Sequence, residues 1–234
     1  MSLDRLRRLQ ELDTTIDTER ERIATIEALV RDRSEYEAAA RRHQAAVGPV
    51  KKLESDQKDL ELRVGTAKGQ LADVDRKLYG GSVSSPRELR DLQDRGTDLR
   101  RQIESGEEQL MTVMEGLEQA AQDAAEAEAS LKRIVAERRV RETELLAERK
   151  SLAGQLRASQ TEREEVRASI EAQPLRLYDR LRTTRGGQAV AEVRQRTCQG
   201  CRVSLTAAYE QRLRHGEQLV TCQSCGRILY LENY

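Results

Sequence analysis

The sequence predicts a mainly α protein: a long antiparallel coiled-coil helical hairpin ending in a small C-terminal β module. Three observations carry this. Apolar residues recur on a seven-residue repeat through most of residues 1–172, helix-stop and helix-start signals crowd together at residues 79–86, and the composition is too polar for a thick globular core. Charged residues make up 35% of the 234, Phe and Trp are absent, and mean hydropathy is −0.76. The residues around the apolar repeat (Glu, Arg, Ala, Gln) are strong helix formers, which excludes a disordered chain.

The first helix is expected to begin near Ser2. Leu9, Leu12, Ile16, Ile23, Ile26 and Val30 form one seam, weakened by Glu19 within it. Between Tyr36 and Gly48 the pattern thins to alanines. It resumes with Val50, Leu53, Leu60, Val64, Ala67, Leu71, Val74 and Leu78, out of register with Val30 by one position. Gly48-Pro49 lies in that slip, so a kink or break is expected there, because Pro49 removes a backbone donor and crowds the preceding turn.

Tyr79-Gly80-Gly81 then closes the helix, glycine supplying the left-handed residue of a helix C-terminus. Ser85 reads as the N-cap of the next helix. Pro86 stands at its first position, and Glu88 lies three residues after the cap. So short a connection folds the second helix back on the first.

The second helix has a seam that alternates spacings of three and four from Leu89 to Ile134, with Gly96, Gly106, Ala120, Ala124 and Ala127 allowing close approach. Arg138 and Arg141 interrupt it, and Leu145, Leu152, Leu156, Val166 and Ile170 resume it. With the tip near residue 82, Gly48-Pro49 is expected to face Gly116. Arms of roughly 75–85 residues would each reach somewhat over 110 Å at about 1.5 Å per residue.

Gln173-Pro174 is read as the end of the hairpin. Residues 173–187 are expected to hold a short amphipathic helix (Leu175, Tyr178, Leu181) and a loop. Residues 188–234 would form the terminal module, with strands at 189–193, 203–205, 218–221 and 228–230. Charge is balanced overall but divided. Residues 1–173 carry a net −5 and residues 174–234 a net +5, and every basic residue of the second part is Arg. No apolar run approaches the roughly 18–20 residues of a membrane span, and no secretory h-region opens the sequence, so a cytoplasmic protein without membrane contact is expected.

All four cysteines fall in this module, as Cys198-Gln-Gly-Cys201 and Cys222-Gln-Ser-Cys225. Two such pairs offer the four thiolates of a closed tetrahedral site for one structural Zn2+, with no open position for a substrate. A thioredoxin-like pattern, which redox pairs would need, is not evident. The module is therefore a zinc ribbon, too thin in apolar residues to fold without its metal. His215 and His43 are read as bystanders, in a loop and on the coiled coil. No Ser/His/Asp set or phosphate-cradling loop is present, so neither catalysis nor a small-molecule substrate is expected.

Arg194, Arg196, Arg202, Arg212, Arg214 and Arg227 surround the cysteines and suit phosphate or an acidic protein surface. Tyr209, Tyr230 and Tyr234 are the few rings on which single-stranded bases could stack. Tyr79, Val83 and Leu89 at the tip suit either a partner or packing across the turn.

A long hairpin with a Tyr79-Gly-Gly…Ser85-Pro-Arg-Glu-Leu89 tip, followed by Cys-x-x-Cys and then Cys222-x-x-Cys225-Gly-Arg-Ile-Leu-Tyr230, resembles the bacterial four-cysteine zinc-ribbon coiled-coil family along the whole chain. The resemblance implies that Cys198, Cys201, Cys222 and Cys225 are the zinc ligands. Members of that family are described as nucleic-acid-binding zinc-ribbon proteins. Relatives include a flagellar regulator that chaperones an alternative sigma factor and binds flagellin messenger RNA, and others are linked to type III secretion. Three readings stay open: a non-enzymatic adaptor or regulator for a protein or nucleic-acid client, an RNA-binding post-transcriptional regulator acting through the Arg-rich ribbon, and a structural spacer with no ligand beyond zinc and a second copy of itself.

Overall fold

The computed structural model describes residues 2–81, 83–215 and 219–231. Ser82 in the tip, Gln218 at the start of the expected 218–221 strand, and Tyr234 lie outside the described residues. Helices α1 (Ser2–Arg31) and α2 (Ser34–Tyr79) form the first arm of a long helical hairpin, and α3 (Pro86–Ala168) forms the second. Then come α4 (Ala172–Thr184), β1 (Val190–Arg194), β2 (Thr197–Cys198), α5 (Ala207–His215) and β3 (Ile228–Leu231). No helix among the described residues is long and apolar enough to cross a membrane.

The chain forms two compact units. One is Asp32–Arg141, and the other joins Met1–Arg31 to Glu142–Tyr234, cutting across the ranges 1–172, 173–187 and 188–234. In the first unit, a Cβ on Gly106 would stand 2.7 Å from Val64 Cγ2, and one on Gly96 would meet Val74 Cγ1 at 3.6 Å. Salt bridges Lys68–Glu107 (2.6 Å) and Arg100–Asp75 (2.9 Å) flank that seam. Gly116 lies against Leu53, so it does not face Gly48-Pro49; the helices are staggered relative to a turn centred on residue 82.

The interruption of the first arm is also displaced. α2 runs unbroken over Gly48-Pro49, and the helix breaks instead at Asp32-Arg33. There Asp32 Oδ1 accepts the Ser34 N–H (2.9 Å), and the Arg138 guanidinium donates to the Asp32 carbonyl. Arg138 thus interrupts the apolar seam of α3 where the opposite helix has a freed carbonyl to satisfy. Both ends of the tip follow their signals. Gly80 N–H closes on Arg76 O (3.0 Å), Gly81 takes φ +72°, and Ser85 O accepts the first α3 bond from Leu89. Tyr79 is fully displayed there, while Val83 and Leu89 are half-buried.

In the second unit, Pro174 opens a helix where it was expected to end one. α3 stops at Ala168, and Pro174 sits in the first turn of α4, where no N–H is needed. Leu6 and Leu9 of α1 pack with Ile170, with Tyr178 and Leu181 of α4, and with Ala189, Val190 and Ile228 of the ribbon. Beneath this core lies Asp13, 1% exposed. Its carboxylate accepts from Arg163 Nε (2.6 Å) and the Tyr178 hydroxyl (2.6 Å) and forms an ion pair with the Arg182 guanidinium (3.0 Å), which fastens α1, α3 and α4 together. Gln10 reaches the ribbon itself, donating to Gly187 O (2.8 Å) and accepting from Ala189 N–H (2.7 Å). The hairpin base and the ribbon therefore share one core.

Candidate metal centre and ribbon surface

β1 is the central strand of a three-stranded sheet, antiparallel to β2 and parallel to β3. Its alternation separates two cores. Val190 faces the helices, while Ala191 and Val193 face Cys198, Cys222, Cys225, Leu205, Val220 and Leu229. Among the described residues, the expected strands at 203–205 and 218–221 contribute only isolated bridges, at Ser204 and Thr221.

The cysteines sit on two loops built alike. Arg202 N–H bonds Cys198 O and Gly226 N–H bonds Cys222 O, both at 2.8 Å. Cys198 N–H bonds Val203 O (3.0 Å), as Cys222 N–H bonds Arg227 O (2.8 Å). The residue after the second cysteine is left-handed in each loop: Arg202 at φ +63° and Gly226 at +74°. Gly200 serves space instead, since a Cβ there would lie 2.7 Å from Arg227 Cδ.

All four Sγ atoms lie within 4.8 Å of one another, with Cys198–Cys225 at 4.0 Å and Cys201–Cys222 at 3.7 Å. A tetrahedron with Zn–S bonds of about 2.3 Å has edges of about 3.8 Å, so the arrangement fits one structural Zn2+. The electrostatics agree. Burial pushes the Cys198 thiol up to about 12 against the opposing N–H groups of Gly200 and Cys201, and burial likewise raises Cys222. Burial also works to raise Cys225, but the Arg227 N–H and guanidinium bring it down to about 7. Four thiolates share this pocket only around a cation.

The six arginines separate by role. Arg227 is internal scaffolding, donating to Gly200 O (2.9 Å), Gln188 O (2.9 Å) and Arg185 O (3.1 Å). Arg212 lies over the Tyr209 ring at 5.9 Å, and Arg202 occupies its left-handed loop position. Arg194, Arg196 and Arg214 line one groove of about 1200 Å³ between the β1–β2 hairpin and α5. Two acids that the sequence reading did not single out lie among them. Glu192 pairs with Arg194, and Glu210 pairs with Arg214 (2.7 Å) and Arg196 (3.7 Å). The hairpin turn is Gln195-Arg196, both with positive φ (47° and 57°), where Asn-Gly would be unstrained.

α5 is a further element that the reading left out, and His215 closes it rather than lying in a loop. Its signal was present in Ala207-Ala-Tyr-Glu-Gln-Arg-Leu-Arg-His, helix formers with a basic last turn. Asp13 and Gln10 had no comparable signal, because their partners are set by how α4 and β1 dock.

Comparison with known proteins agrees with this architecture. Residues 9–186 match the CT398-like coiled coil hairpin domain, and residues 197–229 match the C4-type zinc ribbon domain. An uncharacterized protein of Mycobacterium tuberculosis is 27% identical over 231 residues, covering 92% of this chain and 90% of its own length. Among solved structures, CT398 from Chlamydia trachomatis is similar with a TM-score of 0.70 at 22% identity over 99% of both chains. A protein from Mycobacterium smegmatis has a TM-score of 0.61 at 22% identity over 98% of both. These likenesses are to the fold. The match over residues 9–186 shows that the chain belongs to the CT398-like coiled-coil hairpin family, and it carries a C4-type zinc ribbon at its base.

Proposed function

We propose that the chain is a non-enzymatic adaptor that holds a protein client in the groove lined by Arg194, Arg196 and Arg214. The observation that carries this is the groove's mixed lining. Three arginines alternate with Glu192 and Glu210, so donors and acceptors stand side by side, as a polypeptide requires. A phosphate backbone would meet the two carboxylates, and a Zn2+ with four thiolates adds two negative charges to the same ribbon. The two described rings suited to base stacking are engaged as well: Arg212 covers Tyr209 and Arg7 covers Tyr230 at 5.4 Å. Strain at Gln195-Arg196 supports a working surface, since two non-glycine residues are held left-handed where they present a guanidinium to the groove.

The experiment is a pull-down with the zinc-loaded chain, with and without nuclease. It is repeated with Arg194→Ala/Arg196→Ala/Arg214→Ala after zinc content and helicity are shown to be intact. A client that survives nuclease and is lost with the triple variant is the expected result. Retention of RNA alone, weakening steeply with salt, would refute the reading in favour of an RNA-binding regulator.

A further inference from the structure

In the ribbon, an arginine stands where the backbone asks for glycine. β1 and β2 pair Arg194 with Thr197, so the hairpin turn consists of Gln195-Arg196 alone. When both residues of such a turn are left-handed, the second is usually Gly. Arg196 holds that position at φ +57°, whereas the second cysteine loop meets the same demand with Gly226. The strain serves the turn no better than glycine would, so the side chain is what it retains.

Contacts within the chain give that side chain little to do. It is 64% exposed, and its ion pair with Glu210 Oε2 spans 3.7 Å, beyond hydrogen-bond reach. Among the described residues it makes no hydrogen bond. Glu210 is already engaged, because its Oε1 accepts from Arg214 Nη2 at 2.7 Å. The other acid of the groove, Glu192, pairs with Arg194. Arg196 and Arg214 therefore share one carboxylate, which leaves this trio with one positive charge and the donor fork of Arg196 unused.

The fork is also held in place. Arg194 and Thr197 are paired on either side of the turn, and Arg196 O accepts the Leu205 N–H at 2.6 Å. A residue fixed in this way gives up little backbone freedom when a ligand engages its side chain.

We propose that Arg196 is the anchor for an Asp or Glu side chain of the client. This rests on the reading of the groove as a client site and names the residue chemistry that the site selects. One carboxylate neutralises the trio, completes an alternating set of two bases and two acids, and matches the planar fork of a guanidinium side by side. A run of phosphates would instead bring its further charges against Glu192 and Glu210.

Selection of a random peptide display library on the full zinc-loaded chain tests this. Bound peptides are expected to be richer in Asp and Glu than the starting library. The tightest binder, labelled and followed by fluorescence anisotropy, is expected to weaken about tenfold when its acid is changed to the amide. Arg196→Gly is expected to weaken the acidic peptide about tenfold, to bind the acid and amide forms alike, and to raise Tm, since glycine relieves the turn. A selection without binders, binders no richer in acid than the library, an Arg196→Gly chain that still separates the two forms, or displacement of the peptide by poly-uridylate overturns the proposal. The triple variant separates this from the groove itself. If Arg194→Ala/Arg196→Ala/Arg214→Ala binds the peptide as the wild type does, both readings fall. If it loses the peptide while Arg196→Gly binds normally, the groove stands and the carboxylate anchor falls.

Discussion

Replacing Asp13 by Ala asks whether the hairpin base and the ribbon unfold together. The substitution removes the acceptor of two hydrogen bonds, from Arg163 and Tyr178, and the partner of the Arg182 ion pair. Truncating one partner of a buried ion pair costs about 3–5 kcal/mol. Here the two guanidinium side chains are 20% and 25% exposed and regain some water, whereas the buried Tyr178 hydroxyl does not. We expect a loss of about 3 kcal/mol, weighted toward the low end for that reason. With a urea dependence of about 2 kcal/mol per molar, the midpoint falls by roughly 1.5 M. The assay follows two signals in one titration: zinc release to a chromogenic chelator, and helicity. Because Leu6, Tyr178, Val190 and Ile228 share a core, the zinc-release midpoint should fall although residue 13 is distant in sequence from every cysteine. Zinc release that stays at its wild-type midpoint while helicity shifts would falsify the shared core. As a control, Glu148→Ala breaks the exposed Arg22 pair and should leave the zinc-release midpoint in place.

Burial first, and then the bond to Asp13, hold the Tyr178 phenol protonated well beyond its ordinary 10.0. The unfolded chain releases that proton near pH 10 and the folded chain does not, so this contribution is constant below pH 10 and declines above it. Tyr178→Phe should remove a stability loss of about 1.4 kcal/mol in total between pH 9 and 11, nearly all of it above pH 10, read from urea titrations at the two pH values. In the two cysteine loops, Arg202→Gly should stabilise the zinc-loaded chain and Gly226→Ala destabilise it, each by about 1 kcal/mol, read as opposite shifts in Tm. Chelating the metal should open the ribbon to protease while most helicity persists, since Asp32–Arg141 contains no cysteine; a ribbon equally resistant without metal would contradict the role assigned to Zn2+.

The hairpin, its tip and the cysteine site were legible because each is written in local spacing. A seven-residue seam, a Gly-Gly stop beside a Ser-Pro start, and two Cys-x-x-Cys pairs need no knowledge of distant contacts. The break in the first arm was legible only as an interval. The change of register between Val30 and Val50 required a discontinuity somewhere, but proline chemistry pointed to Pro49, which the long helix tolerates. The break falls at Asp32-Arg33, where Arg138 answers the freed carbonyl. Pro174 misled in the same way, because a proline before a helix and one after it read alike until the helix start is known. The sorting of six similar arginines was not legible at all. Arg227 turns inward to three carbonyls and Arg194, Arg196 and Arg214 converge on one groove only through the fold of β1, β2 and α5.

Because Leu6 and Ile228 belong to the same core, the order in which the chain emerges from the ribosome matters. At about 5–20 residues per second, roughly 10–45 s separate their synthesis. Residues 32–141 can zip up during that interval, but the oily flank of α1 is covered only in part, by Ile170 and α4, until β3 appears. Nascent molecules thus pass through a stage with residues 32–141 folded and the α1 flank only partly covered, the stage at which holdase chaperones would matter most.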